Sequence, residues 1–490
     1  MSEKESHTFS KATGPDDLAA ATRGPDKPSA MATRAHNDST AIHVPEEALC
    51  ALNVLEQAGF EAWFVGGFVR DALLGRPCDD IDITTVARWQ QTQEAFHAAG
   101  YRTHETGVKH GTVTAIVGSS AFEVTTYRTD GTYSDARHPD SVEFVESVDD
   151  DLARRDFTVN AMAYHPVRGL RDPYGGADDL RSGIVRTVGD PTTRFSEDAL
   201  RILRAVRFAS QRGFIIEPAT EAAMRANAQL LHAVSAERVR AELQKMLCGD
   251  YVHDAIMKNV DVLIAVLPEL APMRGFDQRT PYHIFDVLEH SAYVVQNTPP
   301  YPLARWTALF HDMGKPAAFF TDEDGTGHFY GHGAISVEIA ESIMLRLKMG
   351  PRFIHDAKLL VRYHDDVIKP VPKQVKRLLG RLDGRVDLFR TLCDIKRADA
   401  LSQAPQCAGR VELANDLDAC LTQILEAKEP FSLKDVDLNG SDVLALGVAP
   451  GPQVGELLQA ALDAVIDEQV PNSKGALMAY AKGLLQKKDR

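Results

Sequence analysis

The chain has no paired cysteines, no long apolar run and no surplus of positive charge, and each absence removes a class of protein. Its six cysteines stand singly at Cys50, Cys78, Cys248, Cys393, Cys407 and Cys420. With no CxxC pair, neither a zinc ribbon nor a redox couple is signalled, and reduced structural thiols are expected. No apolar stretch approaches the roughly 18 residues of a membrane span. The first forty-odd residues are rich in Ser, Thr, Ala, Asp, Lys and Gly and have no apolar core that could serve as a secretory signal. A cytoplasmic protein with a disordered leader over 1–42 is the expectation. Lys and Arg number 54 against 69 Asp and Glu, a formal charge of −15, which argues against a protein that coats nucleic acid through a uniform basic field. A local basic groove remains compatible with that total. Between Arg181 and Arg212 seven arginines face three acids, Asp190, Glu197 and Asp198. A solvated helix face explains such a stretch equally well.

What is present is a globular composition, 44% hydrophobic and 25% charged over 490 residues, enough for three or four domains. From His43 to about Tyr174 short strands mix with helices. Glu61 to Val65 reads as a strand, Gly66-Gly67 breaks it, and Phe68 to Leu74 restarts as a helix. Asp80 to Thr85 reads as a second strand, and Thr112–Val117 with Ala121–Tyr127 as a hairpin. Beyond Arg194 helical periodicity dominates, over Glu197–Gln211, Ala236–Leu247, Leu303–His311, Ala334–Leu347 and Val454–Ile466. Breaks near Pro268–Gly275 and Ala404–Gly409 are candidate boundaries. The expected division is a head over 43–180, a helical neck over 181–272, a histidine-rich helical domain over 273–403 and a helical tail over 404–490.

The segment WFVGGFVRDALLGRPCDDIDITT, residues 63–85, places a glycine pair after a strand, an arginine in the following turn and alternating carboxylates on the next strand. Gly66 and Gly67 allow backbone N–H groups to approach phosphate oxygens closely, and Arg70 suits a bidentate phosphate contact. Asp80 and Asp82, two apart on a strand, share a face and are hard ligands for Mg²⁺ held together with substrate phosphates. An acidic edge strand after a tight turn is the bland alternative. Glu123 in AFEVTTYR is a candidate third carboxylate if its strand lies beside Asp82. In DLARRDFTVNAMAY, Arg155 suits phosphate, and Asp156 and Asn160 suit ribose hydroxyls. In EDALRILRAVRF, a helix puts Asp198, Arg201 and Arg204 on one side with Arg207 nearby. A carboxylate beside a guanidinium matches the Watson–Crick edges of cytosine and adenine, while an intrahelical salt bridge is the ordinary competitor.

A second constellation combines His290, the adjacent His311-Asp312 pair and Asp399, donors of the kind that bind Mn²⁺, Fe²⁺, Ni²⁺ or Zn²⁺. Asp394 is the alternative distal acid, and His328, His332 and His364 are weaker candidates. Gly447, Gly451 and Gly455 around two prolines form a turn before a helix, either an ordinary connection or a phosphate site.

Together GGFVRDALLG…DDID, EVTTYR, DLARRDFTVNAMAY, RFSEDALRILRAVRFA and ERVRAELQKML resemble the ordered motifs of bacterial class II tRNA nucleotidyltransferases, the CCA-adding enzymes and their poly(A) polymerase relatives. The resemblance implies an α+β chain: a polymerase-beta-like nucleotidyltransferase head, a small mixed sheet with helices, followed by an all-helical body. It implies Mg²⁺ on Asp80 and Asp82, nucleotide contacts from Gly67, Arg70 and Arg155, and base reading by Asp198 and Arg201 with Arg204 and Arg207 nearby. CTP, ATP and tRNA are the implied partners, and the tail would grip tRNA. The stretch 129–158 resembles the flexible-loop region of full CCA-adding enzymes, and TGVKHGTVTA stands where poly(A) polymerases carry an arginine-rich signature. The H…HD…D pattern of His290, His311, Asp312 and Asp399 resembles the HD phosphohydrolase superfamily, with Gly333 where relatives often carry Glu. Template-independent CCA addition is therefore the leading expectation, with A-only or poly(A) addition, or phosphohydrolysis at the histidines, as alternatives.

Overall fold

The computed structural model describes residues 42–78, 80–130 and 142–488. The leader expected over 1–42, all but its last residue, and positions 131–141 of the loop region lie outside the described residues.

The head contains β1 (Ala62–Val65), β2 (Asp82–Thr85), β3 (Arg102–Gly107), β4 (Thr112–Val117), β5 (Ser120–Thr126), β6 (Arg128–Asp130), β7 (Val142–Phe144), β8 (Ala163–His165) and β9 (Gly169–Arg171), with helices α1 (Glu46–Gln57), α2 (Gly67–Leu73), α3 (Trp89–Ala98), α4 (Val148–Ala153) and α5 (Gly176–Ser182). Seven strands form one mixed sheet in the order β3-β4-β5-β2-β1-β8-β9, and β6 pairs with β7 apart from it. On β5 burial alternates, with Phe122 and Val124 inward and Glu123 exposed, as period-two patterning requires. β2 starts at Asp82 rather than at Asp80 as the sequence suggests. Its last pair with β1 is Val65 to Asp82, because Gly66 turns the chain away at φ 70° and leaves Asp80 no strand to pair with.

The neck carries α6 (Pro191–Glu197), α7 (Leu200–Arg212), α8 (Pro218–Asn227), α9 (Ala236–Leu247), α10 (Val252–Lys258) and α11 (Val260–Ile264), with a short parallel pair of β10 (Ile184–Val185) and β11 (Ile215–Ile216). The continuous helix expected over Glu197–Gln211 is two helices. Asp198 is extended, at φ −141° and ψ 102°, and its carboxylate accepts the backbone N–H of Leu200 at 3.0 Å. Asp competes well for such helix-start donors, so the chain ends one helix and begins another here.

The body contains α12 (Val287–Asn297), α13 (Pro302–Phe310), α14 (Lys315–Ala318), α15 (His332–Arg346), α16 (Pro351–Tyr363), α17 (Pro372–Arg381), α18 (Val386–Leu401) and α19 (Gly409–Glu426), plus a hairpin of β12 (Phe320–Thr321) and β13 (Gly327–His328). The tail is α20 (Gly440–Ala445), α21 (Pro452–Ile466) and α22 (Lys474–Lys488). One apolar core runs from Val44 through the neck to Ala398. A second joins Leu360, Leu379, Phe389 and Leu392 to Leu417, Leu421 and Ile424. The break near 404 is therefore a turn within one packed unit, since burying the apolar faces of α18 and α19 requires each other; a separate core begins at Val436.

Candidate functional site

At the head, Gly66 brings the backbone up against Arg155 and Asp82. A Cβ there would lie 3.0 Å from Arg155 Nη1 and 3.8 Å from Asp82 Oδ2, at a positive φ that side chains rarely adopt. Asp82 and Glu123 are Cα partners on the parallel pair β2–β5, so the third carboxylate stands beside Asp82. Asp80 is exposed in the preceding loop. Burial first, then the neighbouring carboxylates of Asp80 and Glu123, push the Asp82 carboxyl up to about 6 against the opposing charge of Arg155. Three oxygen-donor carboxylates gathered round one half-buried member form a set that a hard divalent cation relieves.

Arg155 and Arg154 both pair with the fully buried Asp151, through Nη2 at 3.3 Å and 2.8 Å. Arg70 is buried and its fork is taken up. Nε and Nη2 hold both oxygens of Asp71, at 3.1 and 2.8 Å, and Nη1 donates to Asn160 Oδ1 at 2.7 Å. Asn160 in turn donates to Asp156 at 3.0 Å, and Arg204 Nε donates to the other Asp156 oxygen at 2.7 Å. Arg207 pairs with Glu242 at 3.2 Å, and Arg212 returns to Asp71 at 2.9 Å. The phosphate and ribose roles read for Arg70, Asp156 and Asn160 thus meet a geometry in which these groups satisfy one another and tie α2 to α7.

Asp198 and Arg201 do not share a helix face. Asp198 Oδ2 accepts from Arg238 of α9 at 2.7 Å. Arg201 donates through Nη1 to Glu197 at 2.6 Å and through Nη2 to the Arg154 carbonyl at 3.1 Å. The link to Arg154 joins the α6–α7 joint to the segment that carries Arg155.

In the body, Asp312 follows α13 with its two oxygens turned to different histidines. His290 Nε2 and His311 Nε2 lie 3.3 and 3.0 Å from Oδ2, and His332 Nε2 and His364 Nε2 lie 3.3 and 3.6 Å from Oδ1. Asp399 is 3.1 Å from His290, whereas Asp394 pairs with Arg397. Every one of the four rings presents Nδ1 to a backbone carbonyl: Ser402, Ala308, Phe329 and Val361 for His290, His311, His332 and His364 respectively. A carbonyl only accepts, so the proton sits on Nδ1 and each Nε2 turns inward, the arrangement that prepares imidazoles as metal ligands. Nε2 of His290 and of His311 is buried without an aligned hydrogen bond. Burial pulls the His290 pKa down, yet Asp312 and Asp399 hold it up at about 9, so the pocket favours a cation. Among the described residues, groups of three donors within 4.8 Å of one another are His290–His311–Asp312 and Asp312–His332–His364. Sequence reasoning ranked His332 and His364 low because each stands alone in the chain; their places at a helix start and a helix end were the available signal. Asp71, Asp151, Glu197, Arg212, Arg238 and Glu242 were missed, since long-range partners leave no local pattern.

Four family descriptions match the chain: the poly A polymerase head domain over 62–186, an RNA and SrmB-binding site of polymerase A over 213–274, the HD domain over 282–404 and tRNA nucleotidyltransferase domain 2 over 351–481. A CCA-adding enzyme of Lactiplantibacillus plantarum is 33% identical over 439 residues, covering 89% of this chain and 96% of that protein. This chain belongs to the CCA-adding enzyme family. The CCA-adding enzyme of Geobacillus stearothermophilus is 34% identical over 89% of this chain and 96% of its own length. A solved CCA-adding enzyme of Bacillus stearothermophilus in complex with CTP superposes with a TM-score of 0.68 at 30% identity, covering 90% of this chain and 98% of that one. The family resemblance read from the motifs is thereby shown, as is the α+β head followed by a helical body with an HD domain. No helix among the described residues is long and apolar enough to cross a membrane.

Proposed function

We propose that the chain is a CCA tRNA nucleotidyltransferase that extends tRNA 3′ ends from CTP and ATP without a template. The observation that carries this is the gathering of Asp80 and Glu123 round Asp82, which faces the Gly66 turn beside Arg155, in a chain that matches CCA-adding enzymes nearly end to end. Asp80 and Asp82 would hold Mg²⁺, with Glu123 flanking. Held there, the ion would supply Lewis acidity for the attacking 3′ hydroxyl and the departing pyrophosphate. The backbone N–H groups at Gly66 and Gly67 receive triphosphate oxygens, with Arg155 supplying positive charge beside them. Arg70, Asp156, Asn160, Arg204 and Arg207 keep the nucleotide side of the head rigid against α7. Asp198 and Arg201, at the joint between α6 and α7, choose the base. Its tRNA substrate places the enzyme in the cytoplasm.

The test uses tRNA transcripts ending before CCA, after C and after CC, incubated with Mg²⁺ and CTP, ATP or both, and resolved at single-nucleotide length. Addition of two C and one A followed by arrest is expected, and Asp198→Ala should blur the choice between CTP and ATP. A-only incorporation or a growing A tail would refute the reading.

The inward-turned imidazoles support a second activity. We infer that His290, His311, Asp312 and Asp399, joined by His332 and His364, hold a divalent transition metal, Mn, Fe, Ni or Zn, that serves phosphoester hydrolysis. Metal content of purified protein and of His311→Ala, together with metal-dependent release of p-nitrophenolate from phosphodiesters, tests it.

A further inference from the structure

Of the aspartates in α4, Asp151 alone is buried, and solvent does not reach it at all. Its Oδ1 accepts from Arg154 Nε at 2.9 Å and Nη2 at 2.8 Å, and from the backbone N–H of Arg128, at the start of β6, at 3.4 Å. Its Oδ2 lies 3.3 Å from Arg155 Nη2 and 3.3 Å from the Thr84 hydroxyl. Thr84 stands two residues beyond Asp82 on β2, and its partner Thr125 two beyond Glu123 on β5. Asp151 therefore meets the sheet on the face that carries those carboxylates, one side-chain repeat of about 7 Å further along. Burial would raise its carboxyl, but Arg154 and Arg155 outweigh burial and hold it below the ordinary range.

The two arginines that face the glycine turn are held differently. Arg70 Nη2 lies 3.7 Å from where a Cβ on Gly67 would stand, but Asp71 and Asn160 bind both ends of its fork. Arg155 rests on Asp151 through Nη2. Its Nη1 reaches to 3.0 Å from a Cβ placed on Gly66, and its Nε is buried without a hydrogen-bond partner among the described residues. A guanidinium is planar and rigid, so fixing Nη2 also fixes where Nη1 and Nε point. A buried carboxylate with its guanidiniums adds little stability over apolar side chains of the same volume. Donors aimed at Gly66 and left open suit an anion that arrives there.

We propose that Asp151 is a positioning residue for nucleotide binding in the head, acting through Arg155 by aiming its guanidinium at the triphosphate on the Gly66 turn. The proposal rests on the reading of that turn as the triphosphate site and adds the group that gives the site its direction. Asn fills the same space but turns an NH2 group toward a guanidinium, donor against donor, so Asp151→Asn keeps the volume and removes the aim. The triphosphate is common to CTP and ATP, so both should lose affinity alike, by about tenfold or more, the factor of a charge-assisted contact.

The experiment titrates the full chain, Asp151→Asn, Arg155→Ala and the double variant calorimetrically with CTP and with ATP in Mg²⁺. KM and kcat for CTP addition to a tRNA transcript ending before CCA are measured alongside. Expected are a rise of about tenfold or more in Kd and KM for each nucleotide, a much smaller change in kcat, and no further loss when Asp151→Asn is added to Arg155→Ala. Losses that multiply in the double variant, or unequal losses for CTP and ATP, would overturn the proposal. So would a fall in kcat and Tm at unchanged KM, the mark of an ion pair that only holds the fold. Should Asp151→Asn not fold, Thr84→Val removes one bond to Asp151 and leaves both arginines paired. A rise in Kd of about two- to tenfold, absent beside Arg155→Ala, is then expected, and an unchanged Kd overturns the role. CTP binding that weakens in Asp151→Asn, in a chain that adds no nucleotide, removes the CCA-adding reading and keeps the positioning residue; CCA addition untouched by Asp151→Asn does the reverse.

Discussion

Replacing Asp82 by Asn should make the head more stable while it abolishes nucleotide addition. Burial and the carboxylates of Asp80 and Glu123 hold the Asp82 carboxyl at about 6 against an ordinary 3.8. The folded chain therefore prefers the protonated acid more strongly than the unfolded chain does. That preference is fully present below about pH 3.8 and is lost as pH rises through about 6. The difference of about two pH units corresponds to about 3 kcal/mol withheld from the folded state at pH 7.5. Asn carries no charge at any pH, so the stability gap between variant and parent should grow from near zero at pH 4 to about 3 kcal/mol at pH 7.5. Hydrogen exchange of peptides spanning β1, β2 and β5, in the presence of EDTA, reads the opening free energy of this sheet alone. Mg²⁺ at ten times its Kd should return about 1.4 kcal/mol to the parent and nothing to the variant. An Asn variant no more stable than the parent at pH 7.5 would refute the account of a strained carboxylate cluster.

Gly66→Ala places a Cβ 3.0 Å from Arg155 Nη1 at a positive φ; a backbone cost of about 1–3 kcal/mol is expected, with loss of CTP incorporation exceeding the loss of stability measured by thermal unfolding. Burial would raise the Asp156 carboxyl, but Arg204 and Asn160 outweigh it and hold the group well below the ordinary range. Its contribution is therefore present above about pH 4 and lost as pH falls further, and Asp156→Ala should cost about 2–4 kcal/mol in urea unfolding at pH 7, less than a fully buried pair because Arg204 is 31% exposed. His332→Ala and His364→Ala should each lower the Mn²⁺ retained after dialysis, whereas His355→Ala, on the far exposed pair with Asp383, should leave metal content unchanged.

The motifs that were legible were those whose chemistry is compressed into one segment. Gly66, Gly67, Asp80 and Asp82 lie within 17 residues, and period-two alternation put Glu123 on one face of its strand, although only the β2–β5 pairing sets that face beside Asp82. His290, His311 and Asp312 could be grouped because an adjacent His-Asp pair at a helix end is uncommon. What escaped was decided by partners far away in sequence. Helical periodicity through 197–211 says nothing of the Leu200 N–H that Asp198 captures, so one helix was expected where two occur. Arg70 has the chemistry of a phosphate ligand, but Asp71 and Asn160 claim it first. The turn at 404 has the composition of a linker, while the apolar residues on either side of it, Leu392 and Leu417, belong to one core.

The carboxylate of Asp198 comes already occupied, one oxygen on a helix N–H and the other on Arg238. A ligand that takes the latter oxygen enters by exchange, displacing the Arg238 guanidinium with a donor of its own. Exchange cancels most of the attraction that charge alone provides, so a ligand offering only positive charge gains almost nothing. What survives the cancellation is the match of donor direction and spacing, the quantity in which a cytosine or adenine edge differs from a guanine or uracil edge. On the proposed base-reading role, occupancy by Arg238 would act as a threshold, weakening binding of every nucleotide by a similar amount and leaving the ranking among them to shape.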